Sequence, residues 1–273
     1  MATKAKESAD IQIIKAERGQ VTFGVLGDTP MILNRMSQKV LHELLLPRGR
    51  KTAAEKASTA KHDPLAEFRA SPYTLEDPEA PTLIAQLAAC FKKAIAGAAL
   101  DIPGANKSQI GRLCWVKGER IPVYGIPQIF MSVTRSADMN RTPDVRTRCI
   151  IPKWACLITV EYTVPLLNQQ VISDLLATAG MSQGIGDWRP QKGAGTYGQF
   201  QLVGADDPEL KHLMKHGGRD AQIAAMAAPE PYDDETEEML AWYETEIKRR
   251  GFEPAKQVVD KALKKVASRH AEH

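Results

Sequence analysis

Apolar and polar side chains alternate along VTFGVLG, the period of a strand with one face in the core. The longer stretch IQIIKAERGQVTFGVLGDT therefore predicts strands, broken by a turn at Arg18-Gly19. Past Pro30 the spacing changes to three and four, and SQKVLHELLL predicts a helix with Ser37 as its N-cap. TLIAQLAACFKKAIAGAAL repeats the helical spacing most clearly. Short β-type runs follow in GRLCWVKG and IPVYGIPQIFMSVT, then a polar connector, RSADMNRTPDVRTR, and a strong strand, WACLITVEYTV. LLNQQVISDLLATAGM predicts a second amphipathic helix, and YGQFQLV a closing strand.

That order, β-α-(insert)-β-β-α-β, predicts an α+β fold. It is the ferredoxin-like, RRM-type plan: an antiparallel sheet, two helices on one face, and the other face free to bind. The insert, residues 47–82, is polar and proline-rich, and predicts a projecting arm. After Gly204 the pattern becomes charged, and two helices with narrow apolar stripes predict a helical appendage. The expected organisation is a body over residues 1–205 and an acidic helical tail over 206–273.

Charge separates the same two regions. Residues 206–273 hold 11 Lys/Arg against 15 Asp/Glu, whereas residues 1–205 hold 25 against 18, although the whole chain of 273 residues carries only +3. A basic body points to a polyanionic partner, with the acidic tail shielding it or meeting a neighbouring subunit. No apolar run is long enough to span a bilayer, and MATKAKESADIQII lacks a signal peptide's apolar core. The four cysteines show no CxxC pairing. These features predict a cytoplasmic protein with reduced, mostly buried thiols.

The densest punctuation is GIGDWRPQKGAGTYGQF, residues 184–200, with glycine at 184, 186, 193, 195 and 198. GAGTYG fits GxGxxG, but a dinucleotide fingerprint needs a strand before it and a helix after it, the reverse of the order here. No P-loop or kinase element accompanies it. Two readings stay open. The glycines could serve only a tight helix-to-strand turn. Alternatively, backbone amides around Gly184, Gly186, Gly193 and Gly195 could cradle phosphates, with Arg189 and Lys192 adding charge and Trp188 and Tyr197 offering stacking surfaces.

Gly184-Ile185-Gly186 followed by Gly193-Ala194-Gly195 and an aromatic strand resembles the glycine-rich loop of the repeat-associated mysterious proteins (RAMPs), which include the backbone subunits of CRISPR effector complexes. The spacing is one residue longer than the commonest form, and the resemblance spans about residues 20 to 204. It implies an RRM-like domain that binds guide RNA, assembles in tandem along the strand within a ribonucleoprotein, and reaches its neighbour with the arm. Some such subunits cut RNA with a loop aspartate. Asp63, Asp77, Asp138 and Asp187 lie in suitable loops, and the sequence singles out none.

Nine Lys/Arg against three acids crowd residues 106–153, and Arg135, Arg141, Arg146 and Arg148 are the densest run. Arg146 and Arg148 share a face if they lie on a strand. Arg35, with Asn34, follows the first strand on the expected binding side. His212 and His216 stand four apart without a carboxylate partner in pattern, so no metal or cofactor is predicted. No nucleophile-base arrangement emerges either, and the expectation is a non-catalytic binder of single-stranded RNA. The alternatives are a single-stranded DNA-binding or annealing protein of a phage or mobile element, and a RAMP-shaped protein that docks to other proteins.

Overall fold

In a computed structural model the described residues are 15–36, 41, 45, 62–135, 143–192 and 195–251. The alternation in VTFGVLG places Val21, Phe23 and Val25 on the core side of strand β1 (Glu17–Gly27). It pairs antiparallel with β9 (Ala155–Val164), from Glu17 opposite Val164 to Leu26 opposite Ala155. There is no turn at Arg18-Gly19. The glycine instead lies flat against the Tyr162 ring, which a Cβ would meet at 2.6 Å.

On the other side of β1 runs β10 (Phe200–Val203), and beyond β9 come β5 (Cys114–Val116) and β6 (Arg120–Tyr124). The sheet continues through β4 (Ile84–Leu87) to β3 (Tyr73–Thr74), with every pairing antiparallel. A smaller sheet has the order β2 (Met31–Leu33), β8 (Pro143–Ile151), β7 (Gln128–Arg135).

Helices α2 (Ala88–Ala98) and α4 (Gln169–Ser182) pack together over the main sheet. They bury Phe91, Ile95, Ile172 and Leu176 in one core with Val25, Cys156, Ile158 and Val160. Each such side chain contributes about 1.5–3 kcal/mol of burial. Asn168 starts α4 by accepting from the Val171 amide at 2.9 Å.

Several boundaries differ from the sequence expectation. IAQL is strand β4, paired to β6, and the helix begins only at Ala88. The stretch before β5 is a helix, α3 (Lys107–Leu113), because Asn106 accepts from the Gln109 amide at 3.0 Å and caps it. The second half of the predicted arm does not project: α1 (Pro64–Ala70) buries Phe68 completely, and Arg69 donates to the carbonyls of Met226 and Ala227. The first half of the arm and most of the helix predicted over 37–46 lie outside the described residues.

The described part of the tail, up to Gly251, returns to both sheets, and the second helix predicted for the tail lies outside the described residues. Helix α5 (Pro208–His216) lays Leu210 and Leu213 on Leu26 and Ala155, so the sheet face expected to be free is covered at that end. Helix α6 (Arg219–Ala227) inserts Gln222, fully buried. The segment before α7 (Asp234–Arg250) runs along β7, with the Ile129 amide donating to Glu230 O and the Tyr232 amide to Ile129 O. The Met131 amide donates to the hydroxyl of Thr236. These bonds cover backbone groups that β7 would otherwise leave unpaired.

Cys114, Cys149 and Cys156 are buried and Cys90 is half-buried, all as free thiols. Burial raises the pKa of each and pushes Cys114 up to about 11. A thiol-reactive dye at pH 8 is expected to label at most Cys90 in the folded protein, and all four after denaturation. Rapid labelling of two or more native thiols would contradict this packing.

Candidate nucleic-acid interface

The glycine-rich segment lies between α4 and β10, and it folds back to dock on the small sheet. Ile185 donates to Gly198 O at 2.8 Å, Asp187 to Ile32 O at 2.9 Å, and Gly198 to Pro30 O at 2.8 Å. Asp187 thereby forms a bridge with β2. Gly184, Gly186 and Gly198 have φ of 65°, 88° and 71°, where side chains are strained. A Cβ on Gly195 would lie 1.5 Å from the Trp188 carbonyl oxygen. The chain's own path therefore accounts for these glycines. Of the amides expected to cradle phosphate, that of Gly184 donates to Ala179 O, and those of Ile185, Asp187, Tyr197 and Gly198 nearby also donate to protein carbonyls.

The face beneath the loop is aromatic. Phe130 meets the rings of Trp188, Tyr197 and Tyr232 at centroid distances of 6.1, 6.4 and 5.5 Å, and buries Ile32 and Ile150 with them. Trp188 and Tyr197 are half-buried in this cluster. Burial raises the Tyr232 phenol above its usual range, with smaller contributions from Tyr197 and Asp233.

Cations gather around the rings. Arg148 stands opposite Phe130 across the β7–β8 pair, and its guanidinium lies 5.0 Å from the Trp188 ring centre. Its Nη2 pairs with Asp187 at 3.3 Å, and only 9% of the side chain is exposed. Burial lowers its pKa first, with Asp187 opposing and Arg146 adding to the shift. The group nonetheless stays protonated at physiological pH. Asn34 donates to the same Asp187 carboxylate at 3.0 Å, which ties the segment after β2 to the loop. Arg35 stacks its guanidinium 5.4 Å from the Tyr73 ring centre.

Arg146 shares the face of Arg148, as the strand period predicted, but is 59% exposed with Asp144 at 3.4 Å. Arg189 spends its donors inside the loop, on Gly186 O at 2.7 Å and on Gln191 at 3.0 Å. Lys192 is exposed on a short 3-10 turn. Arg135 belongs to the opposite face of β7 from Phe130, Ser132 and Thr134, so it does not join this cluster. Arg141 and Gly193 lie outside the described residues.

Three members of the cluster were missed from sequence: Phe130, Tyr232 and Asp187 in its pairing role. Tyr232 sits in PEPYDD, which looks like a hinge, and only its docking on β7 reveals it. A second basic-aromatic group lies on the main sheet, where Arg18 and Lys92 flank Trp115 at 5.7 and 5.9 Å.

The loop aspartates have structural work. Asp63 caps α1, Asp77 closes a turn by accepting from the Glu79 amide, and Asp187 holds Arg148 and Asn34. Asp138 lies outside the described residues. The rings of His212 and His216 are 4.5 Å apart, and among the described residues no group of three or more metal-binding side chains converges. No helix among them is long and apolar enough to cross a membrane.

Fold and site together define an antiparallel α+β protein with a basic, aromatic face under a glycine-rich loop. No protein-family model matches the chain, and no curated protein matches it. Among solved structures, Cmr6 from Pyrococcus furiosus is similar over 68% of this chain and 99% of that one, at 8% identity and a TM-score of 0.32. The resemblance is distant.

Proposed function

We propose that the protein binds single-stranded nucleic acid, RNA in the first place, without catalysis. The observation that carries this reading is the placement of Arg148 against the Trp188 ring, with exposed Arg146 on the same strand face and exposed Lys192 in the same loop as Trp188. Rings supply stacking surfaces indifferent to sequence, and exposed cations supply phosphate contacts. Arg146 and Lys192 are the phosphate contacts, because they are exposed where Arg148 and Arg189 are already engaged.

The strand order β10-β1-β9-β5, with α2 and α4 packed together, supports the ferredoxin-like assignment for the core. Tandem subunits along the strand, inside a ribonucleoprotein, are the corresponding assembly. The structural tasks of three loop aspartates favour a non-catalytic role. Docking to a protein partner is the second reading, favoured by Trp242, 64% exposed on the acidic helix α7.

The test is fluorescence anisotropy with labelled 30-nucleotide RNA and DNA of one sequence over a salt series. Charge reversal of both Arg146 and Lys192 is expected to weaken binding at least tenfold at low salt. It should also flatten the logarithmic salt slope by about 0.7 per lost contact. A folded protein that binds neither strand at low salt overturns the proposal. Equal binding of DNA moves the assignment to single-stranded DNA.

A further inference from the structure

Resting on that interface, the buried donors beneath Trp188 carry a more specific assignment. Arg148 is nine-tenths buried, and its Nη1 has no hydrogen-bond partner among the described residues. The hydroxyl of Ser132 is likewise buried and unpartnered. Ser132 stands opposite Arg146 and Phe130 opposite Arg148, so both orphaned donors belong to the same face of the β7–β8 pair. A buried donor left unpaired is costly, and native folds pair nearly all of them. Two on one face, beside an aromatic cluster, mark a place where an acceptor atom belongs.

The charge balance says which kind of acceptor. Asp187 already neutralises Arg148 through Nη2, at 3.3 Å. A phosphate at Nη1 would put a second anion on one buried guanidinium, repelled by Asp187 where the dielectric is low. A neutral acceptor adds a hydrogen bond without that repulsion. Within a single strand, the neutral acceptors that come attached to a flat ring are on the edges of the bases. The surroundings are aromatic: the Trp188 ring lies beside the guanidinium, and Phe130 packs with Trp188, Tyr197 and Tyr232.

Trp188 borders the guanidinium. It is the one described non-glycine residue at positive φ, 51°, a conformation kept by close packing of Gly195 against its carbonyl. Strained backbone of this kind concentrates at ligand sites.

We infer that Arg148 and Ser132 read the acceptor edge of one unstacked base admitted beside Trp188, while Arg146 and Lys192 hold the backbone. Arg148 is then a base contact, not one of a row of phosphate contacts.

The experiment compares a 15-nucleotide oligouridine with an abasic RNA of the same length, which keeps every phosphate and removes every base. Arg148→Lys keeps the charge that Asp187 needs and removes the second arm of the fork. Ser132→Ala removes a hydroxyl that no folded-state bond uses. Each variant is expected to weaken oligouridine binding about tenfold. Abasic binding and the salt slope should stay unchanged. Equal weakening of both ligands with a flatter slope would make Arg148 a phosphate contact and overturn the inference. No effect of Ser132→Ala and Arg148→Lys on either ligand would leave the donors to buried water, and overturn it as well. Failure of the unaltered protein to bind either strand removes the interface, and this assignment with it. Should Arg148→Lys fail to fold, the Ser132→Ala comparison decides alone.

Discussion

Gln222→Leu is expected to lose on the order of 4 kcal/mol or more of unfolding free energy. Gln222 Oε1 accepts from the amides of Leu83 and Ile84, both at 2.9 Å. Its Nε2 donates to the carbonyls of Val123, Gly125 and Gly217 at 2.8, 3.0 and 3.1 Å. One fully buried amide therefore joins β4, the end of β6 and the turn between α5 and α6. Leucine fills a similar volume but strands two donors and weakens three acceptors, and each stranded buried group costs roughly 1–3 kcal/mol. Urea unfolding followed by circular dichroism measures the loss. A change below about 1 kcal/mol would mean that α6 is not integral to the fold.

Gly198→Ala is the second large effect, and it acts on the loop. The residue has φ of +71°, and a Cβ would lie 1.7 Å from the Ile185 carbonyl oxygen, a backbone atom that cannot step aside. That carbonyl belongs to the buried residue linking the loop to the core. Strain at such a position costs on the order of 1–3 kcal/mol before the clash is added. The expected result is about 3 kcal/mol of lost stability, with nucleic-acid binding reduced further than by charge reversal at Arg146 and Lys192. Gly104→Ala is the control, since its φ is +81° but nothing lies within 4 Å of the added Cβ. It should cost only the backbone strain, about 1–2 kcal/mol, and leave binding intact. Equal effects at the two glycines would show that loop docking does not matter for the face beneath it.

Local pattern was a good guide wherever neighbouring residues alone decide the structure. The period of two in VTFGVLG identified β1, the strand character of WACLITVEYTV identified β9, and the helical spacing of LLNQQVISDLLATAGM identified α4, whose Asn168 cap is itself a local signal. The order of these elements, and the position of the glycine-rich segment between α4 and β10, could also be read from the chain. Where two local tendencies met, the partner strand chose between them. IAQL shares the helical spacing of the residues after it, yet pairing with β6 makes it a strand.

The candidate site was legible as residue types and not as roles. Arg146 and Arg148 look equivalent in RTR and do share a face, but one is exposed and the other is covered by the loop and paired with Asp187. That difference arises 39 residues along the chain, at Asp187, in a segment that docks against β2. Composition by itself separated a basic body from an acidic tail, because charge is a sum over residues and needs no geometry. Whether the tail stands apart is another matter. The bonds of Gln222 and the seating of Leu210 on Leu26 tie its first two helices, α5 and α6, into the body. Contacts between residues far apart in sequence depend on which buried groups lack a partner once the chain has collapsed, and only the tertiary structure decides that.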